Sequence, residues 1–95
     1  MFKHISKLNK FSLVVDGVEV SYILYKQTKA DHLDLYETIT EKLFEGKGYA
    51  TQLAHKTFED CQNKRVKIQL SCTFLQHVYD KNPAQYDNLR LPGRD

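Results

Sequence analysis

The stretch Glu45-Gly46-Lys47-Gly48-Tyr49-Ala50 stands where the hydrophobic pattern changes from the period of a strand to that of a helix. After it, apolar and small side chains recur at the spacing i, i+3, i+4, i+7, i+8 and i+11, at Ala50, Leu53, Ala54, Thr57, Phe58 and Cys61. This spacing predicts an amphipathic helix of about four turns. Before it, residues 32–40 alternate as in a strand. The predicted faces of this strand are Leu33, Leu35, Glu37 and Ile39 on one side, and Asp34, Tyr36 and Thr38 on the other.

Two more strands precede this unit, and one strand and one helix follow it. Residues 11–24 alternate around Asp16-Gly17, a two-residue turn typical of a β-hairpin. Residues 65–71 alternate again, and helical spacing over residues 74–79 ends before Asn82-Pro83. The predicted order is therefore β-β-β-α-β-α. The βαβ step makes the third and fourth strands parallel through a right-handed crossover. The expected fold class is α/β (α+β), a mixed sheet with strands 1–3 antiparallel and the helices packed on it.

Length and composition limit the possible classes of protein. Ninety-five residues correspond to a single domain, residues 1–95. With 14 basic and 12 acidic residues, the net charge is +2, and the basic residues are spread along the chain. This distribution disfavours a small nucleic-acid-binding domain, although that remains a competing hypothesis. No apolar stretch approaches the roughly 20 residues that cross a bilayer, and no secretory leader is recognisable, so we expect a cytoplasmic protein. Residues 1–10 and 91–95 are expected to fray.

Residues 45–50, the glycine loop, have the composition of an anion-binding loop. Gly46 and Gly48 let the backbone approach an anion closely, and the N-terminus of the following helix favours negative charge. A turn whose glycines only relieve steric strain is the alternative interpretation. A Walker A loop is excluded because Lys47 alone separates the two glycines, and a dinucleotide fingerprint is excluded because Thr51 stands where Gly or Ala is required.

The glycine loop also resembles the acetyl-coenzyme-A loop of the GNAT superfamily of N-acetyltransferases. The family pattern is Gln or Arg, any two residues, Gly, any residue, and Gly or Ala; Gly48 and Ala50 match it. Glu45 departs from the pattern, because it is an acid where the family has Gln or Arg. An acid beside a pyrophosphate is expected to weaken binding. Residues 34–38, 68–72 and 79–86 look like the corresponding stretches of small stand-alone GNAT-like proteins of about this length. The resemblance extends over residues 18–89.

The resemblance implies a binding site for acetyl-coenzyme A (acetyl-CoA). It implies that the third and fourth strands splay apart, that the pantetheine arm lies in the gap, and that the pyrophosphate contacts the amides of the glycine loop. It also leaves open whether Tyr79 closes over the coenzyme or packs in the core. The implied coenzyme-binding residues are Thr38, Ile39, Thr40, Glu45, Gly46, Lys47, Gly48, Tyr49, Ala50, Ser71, Cys72, Tyr79 and Asn82.

The two cysteines have different predicted roles. Cys72 ends the fourth strand just before a helix, at the mouth of the implied cleft, and is the candidate catalytic residue. Three roles are open for Cys72. It accepts the acetyl group as a covalent intermediate, it supports the thioester during direct attack by an amine, or it only packs against its neighbours. Cys61 lies on the apolar stripe of the first helix and is predicted to be a buried, free thiol. The four histidines and two cysteines lack ligand spacing, so no metal site is expected.

The function that the resemblance implies is transfer of an acetyl group from acetyl-CoA to an unidentified amine. The superfamily's early helices are missing, which leaves a shallow acceptor side and implies a small or mobile acceptor. The same feature makes an acyl-CoA-binding module with little or no turnover the alternative. No membrane or nucleic-acid partner is expected, and the sequence does not define an oligomeric state.

Overall fold

The computed structural model describes residues 1–86 and 88–91. Within them, one mixed sheet has the strand order β1-β2-β3-β4-β5, antiparallel from β1 to β4 and parallel between β4 and β5. The predicted fold class is confirmed, with β2 to β5 as the four predicted strands. The strands are β1 (Phe2–Ile5), β2 (Lys10–Val15), β3 (Val18–Lys29), β4 (His32–Thr40) and β5 (Lys67–Leu70); the helices are α1 (Tyr49–Asn63) and α2 (Thr73–Lys81), with short 3-10 turns at Ser6–Leu8, Lys42–Phe44 and Pro83–Tyr86.

The N-terminal residues form the edge strand β1, where the sequence predicted a frayed end. The His4 ring stacks on Phe11 with 4.3 Å between centroids, and its Nε2 lies 2.7 Å from the Tyr25 hydroxyl oxygen. The prediction for residues 1–10 was wrong because these tertiary contacts, which local pattern does not encode, hold the strand. At the other end, Leu91 donates a backbone hydrogen bond to Ile68 of β5, and residues 92–95 lie outside the described part.

Both helices pack on the same face of the sheet. The predicted stripe of α1 is confirmed, since Leu53, Ala54, Thr57, Phe58 and Cys61 are buried there. Phe58 meets the rings of Tyr79 on α2 and Tyr86 edge-on, at 5.6 Å and 5.1 Å between centroids. Among the described residues, no helix covers the opposite side, which we call the helix-free face. Neither helix in this part of the chain is long and apolar enough to span a membrane.

A β-bulge at Tyr36 divides β4 into two segments. Leu35 pairs with Tyr25 of β3, whereas Glu37 pairs with the neighbouring Leu24, so that Tyr36 is the extra residue. An extra residue in one strand reverses the face to which all following side chains point.

The bulge decides which side chains of β4 face the helices. Thr38 pairs with the fully buried Ile23, so Thr38 and, two residues on, Thr40 point toward the helices. Glu37 and Ile39 point to the helix-free face. The predicted grouping of Glu37 and Ile39 with the buried leucines of β4 was therefore wrong, because strict alternation takes no account of a bulge.

The parallel strands β4 and β5 separate halfway along β4. Their register ends at Leu35 opposite Leu70, although β4 continues to Thr40. The backbone N–H groups of Ser71 and Cys72 both donate to the Leu35 carbonyl oxygen, at 3.1 Å and 3.2 Å. Beyond this point the chain turns into α2, which leaves a gap between the strands at their carboxyl ends.

Candidate functional site

A cavity of about 440 Å³ opens at the carboxyl end of β4. Its walls come from the end of that strand, the glycine loop, the first turn of α1 and the start of α2. Ligands of open α/β sheets bind in this position, beyond the carboxyl ends of parallel strands. The lining residues are Thr38, Thr40, Phe44, Glu45, Gly46, Gly48, Tyr49, Ala50, Thr51 and Phe74.

The glycine loop delivers an uncapped helix N-terminus to this cavity. Gly46 and Gly48 have left-handed backbone conformations, with φ of +79° and +80°. Gly48 is the N-cap of α1, and no side chain caps the helix there. The first intrahelical hydrogen bond runs from the Gln52 N–H to the Gly48 carbonyl oxygen. The N–H groups of residues 49–51 therefore lack intrahelical partners and, with the helix dipole, favour an anion.

The end of β4 also presents backbone groups to the gap. The Glu41 N–H donates to the Val20 carbonyl oxygen of β3 at 2.9 Å, so Ile39, two residues earlier, directs its peptide groups toward β3 as well. Since alternate residues of a strand address opposite neighbours, Thr38 and Thr40 direct their N–H and C=O groups into the gap. An extended ligand can pair with them as a short extra strand.

Cys72 contacts a residue of the cavity lining but does not belong to the lining itself. Its Sγ is 3.5 Å from the Thr38 Oγ1, and the residue is half-buried at the N-cap of α2. Thr38 rather than Cys72 faces the cavity. Cys61, by contrast, is buried on α1, and burial raises the pKa of its thiol to about 12, which makes it unreactive. Both cysteines are free.

The structure brings most of the predicted binding residues together at one cavity. The predicted residues that line it are Thr38, Thr40, Glu45, Gly46, Gly48, Tyr49 and Ala50. Lys47 is exposed in the same loop, Ser71 and Cys72 lie where β4 and β5 separate, and Ile39 points to the helix-free face. The sequence did not predict Phe44 and Phe74, because aromatic residues near strand and helix ends look like core residues. It did not predict Thr51, because that residue lies outside the apolar stripe of α1.

Tyr79 and Asn82 lie away from the lining of the cavity. Tyr79 is 8% exposed, and its hydroxyl donates to the Tyr86 carbonyl oxygen at 2.8 Å. The two tyrosine rings stack at 5.9 Å between centroids, and Asn82 is the C-cap that follows α2. Of the two roles left open for Tyr79, the geometry favours packing. In the described part of the chain, no group of three or more His, Cys, Asp or Glu side chains is arranged to hold a metal ion.

The structure thus combines a mixed sheet, two parallel strands that separate, and an uncapped helix N-terminus at the gap between them. The chain belongs to the GCN5-related N-acetyltransferase family, whose model matches residues 10–89. The predicted GNAT membership is thereby confirmed, and the protein is an N-acetyltransferase by family. The family uses acetyl-CoA as its co-substrate.

Individual proteins are similar to this chain. Protein NATD1 of Xenopus tropicalis is 27% identical over 82 residues, which cover 85% of this chain and 75% of that protein. A GCN5-like protein from Staphylococcus aureus, solved by NMR, superimposes with a TM-score of 0.65 at 22% identity, covering 99% of this chain and 90% of that one. The crystal structure of the ribosomal-protein-S18-alanine N-acetyltransferase from Escherichia coli gives 0.62 at 16% identity, covering 76% of this chain and 49% of that enzyme. These two structures support the fold.

Proposed function

We propose that this protein binds acetyl-CoA in the cavity beside the glycine loop and transfers the acetyl group to a small or mobile amine. The observation that carries the proposal is the convergence of two sets of backbone polar groups on one cavity. Uncapped N–H groups of residues 49–51 suit a pyrophosphate, and the open peptide groups of Thr38 and Thr40 suit an extended arm that contains amides. Coenzyme A contains both chemical groups.

The size and lining of the cavity support this ligand. A volume of about 440 Å³ falls in the range of about 300 to 1,000 Å³ found for small-molecule sites. In the proposed pose, the glycine loop holds the pyrophosphate and the end of β4 holds the arm. Phe44 and Phe74 provide apolar walls, and the thioester ends near Thr38 and Cys72.

The chain contributes position and polar stabilisation to the transfer. The reaction replaces the thioester C–S bond by an amide C–N bond, and the proton lost by the amine leaves with the coenzyme thiolate or with solvent. The peptide groups of Thr38 and Thr40 hold the reacting group in one orientation. A peptide N–H in the gap is also the kind of donor that stabilises negative charge on the carbonyl oxygen.

The proposed role of Cys72 is to support the thioester rather than to attack it. Its Sγ contacts the Thr38 Oγ1, and Cys72 does not belong to the cavity lining. Cys72→Ala is therefore expected to lower kcat several-fold, with little change in the affinity for acetyl-CoA, in steady-state and titration measurements. Intact-mass spectrometry after mixing with acetyl-CoA alone should detect no acetylated protein. An acetyl adduct that is absent from Cys72→Ala would contradict this role and establish the covalent route.

The helix-free face is the proposed route for the acceptor. Beyond the bulge, Glu37 is exposed on that face next to Thr38, and no helix of the described chain restricts access there. An open face of this kind holds a large acceptor weakly, which is why we propose a small or mobile amine. For the same reason, an acyl-CoA-binding module with little turnover is the second candidate function.

An amine panel distinguishes the two functions. Release of free coenzyme thiol is followed with acetyl-CoA and peptide N-termini, lysine, polyamines and small aromatic amines, against a reaction without amine. Amine-dependent release supports the transferase. Binding of acetyl-CoA without amine-dependent release supports the binding module, and absence of binding contradicts both.

Glu45 is expected to weaken coenzyme binding. Glu45 is exposed and lines the cavity, so we expect its carboxylate to repel the pyrophosphate that we place there. Glu45→Gln should therefore tighten acetyl-CoA binding about threefold at low ionic strength, and salt should reduce the gain. The control is Glu41→Gln, which removes an exposed carboxylate outside the lining. Calorimetric titrations that give equal affinities for the two variants would show that Glu45 does not face the pyrophosphate.

The proposed location is the cytoplasm. Two free thiols in one small chain fit a reducing compartment. The scattered basic residues and the net charge of +2 support a small anionic co-substrate rather than a nucleic acid.

A further inference from the structure

Ser21 is a fully buried polar side chain of β3 with two hydrogen-bond partners on β4. Its Oγ lies 3.1 Å from the Ile39 carbonyl oxygen and 2.9 Å from the Thr40 Oγ1. A carbonyl oxygen only accepts, so the Ser21 hydroxyl donates its single proton to Ile39. The bond between the two hydroxyls therefore requires Thr40 to donate to Ser21.

This chain of hydrogen bonds determines what Thr40 offers to a ligand. Thr40 lines the cavity, but its only hydroxyl proton is directed at Ser21. Only lone pairs of the Thr40 Oγ1 remain for a group in the cavity. A ligand carbonyl or phosphate oxygen at this point would face those lone pairs without a donor, whereas a ligand N–H would be satisfied.

We propose that Ser21 is a positioning residue that fixes Thr40 as a hydrogen-bond acceptor, so that this point of the cavity selects an N–H donor, namely a secondary amide of the ligand. The proposal rests on the proposed function, because the pantetheine arm carries such amides. It adds a specificity element on β3, a strand to which no role in binding is otherwise assigned. The position of the arm along β4 then depends on the acceptor character of the Thr40 hydroxyl as well as on the shape of the cavity.

Ser12 provides a matched control. It is as fully buried as Ser21 and lies on the neighbouring strand β2. Its hydroxyl donates to the Glu19 carboxylate at 2.5 Å. It pairs with Tyr22 and points to the helix-free face, outside the lining of the cavity. Ser12→Ala removes a buried hydroxyl as Ser21→Ala does, without affecting Thr40.

The first test needs no ligand. Three-bond NMR couplings report the χ1 rotamer of Thr40, which should be single in the wild type and in Ser12→Ala. In Ser21→Ala the Thr40 hydroxyl loses its partner, and the couplings should become averaged or change to another rotamer. Unchanged couplings in Ser21→Ala would overturn the positioning role.

The second test measures the amide specificity. The probes are acetyl-CoA and two analogues in which one or the other amide N–H of the arm is replaced by CH₂. For the wild type, one analogue should bind about 3- to 10-fold more weakly than acetyl-CoA, the effect of one hydrogen bond. Thr40→Val should bind acetyl-CoA more weakly by a similar factor and should not distinguish it from that analogue, whereas Thr40→Ser should retain the preference.

Ser21→Ala should raise KM for acetyl-CoA about threefold, through loss of part of one hydrogen bond, with kcat unchanged. Ser12→Ala should change neither.

If Ser21→Ala lowers stability too far for titration, Thr40→Val tests the same hydrogen bond with Ser21 intact. Equal discrimination by wild type and Thr40→Val would overturn the proposal while leaving acetyl-CoA binding intact. A wild type that does not bind acetyl-CoA would refute the proposed function and the amide specificity together, and the rotamer test would still decide the orientation of Thr40.

Discussion

Gly48→Ala is expected to weaken acetyl-CoA binding about tenfold, because an L-residue in the left-handed region is strained by roughly 1–2 kcal/mol. Gly48 has φ of +80°, and a Cβ added there would meet no atom within 4 Å. The effect is therefore one of backbone conformation and not of steric clash. Relaxation of the strained alanine turns the N–H groups of residues 49–51 away from the cavity. Isothermal titration calorimetry with acetyl-CoA measures the loss.

Gly17→Ala separates this effect from general destabilisation. Gly17 also has φ of +80° with no atom within 4 Å of an added Cβ, but it lies in the turn between β2 and β3 and does not line the cavity. Both variants should lose similar thermal stability, and only Gly48→Ala should lose affinity. Similar affinities for the two variants would show that the amides of the glycine loop do not contact the ligand.

Phe58→Ala is expected to have the largest effect on stability. Phe58 is fully buried and contacts Tyr79 and Tyr86 edge-on. Truncation of a buried phenylalanine costs about 3–5 kcal/mol, through lost burial and the cavity that remains. This is a large part of the roughly 5–15 kcal/mol by which a typical domain is stable. Urea denaturation followed by circular dichroism should show the loss as a lower midpoint.

Leu43→Ala is the matched surface substitution. The Leu43 side chain is 85% exposed, so its truncation should change the free energy of unfolding by less than about 0.5 kcal/mol. A comparable loss in both variants would mean that the contacts of Phe58 with Tyr79 and Tyr86 do not hold α1 against α2 and the following turn. Because α1 carries the uncapped N-terminus, that result would also weaken the account of the site.

Local patterns in the sequence were sufficient to predict most of the fold. The apolar residues from Leu53 to Cys61 recur with the period of an α-helix. Asp16-Gly17 specifies a hairpin through the backbone preferences of its two residues. The crossover through α1 then makes β4 and β5 parallel, with a right-handed connection. Each of these features depends on neighbours along the chain, which is why sequence reasoning found them.

Features that depend on tertiary contacts were not predictable in the same way. The strand β1 is held by His4 on Phe11 and Tyr25, and no local periodicity encodes those contacts. The bulge at Tyr36 inserts a residue without interrupting the alternation, so the faces of Glu37 and Ile39 were misassigned. The same bulge brings the Thr38 and Thr40 side chains to the cavity. From the sequence, only the resemblance to known proteins indicated that these two residues belong to the site.

The binding of acetyl-CoA at the glycine loop is tested most directly by ¹H–¹⁵N NMR titration of the full chain. Saturable shifts are expected in residues 38–51 and 71–74, around the cavity at the carboxyl end of β4. A second cavity, of about 300 Å³, lies at the opposite ends of α1 and β5 and provides an internal reference; it is lined by Gln62, Arg65, Val66, Lys67, Asn88 and Leu89. Absence of shifts, or shifts confined to this second cavity, would contradict the proposed site.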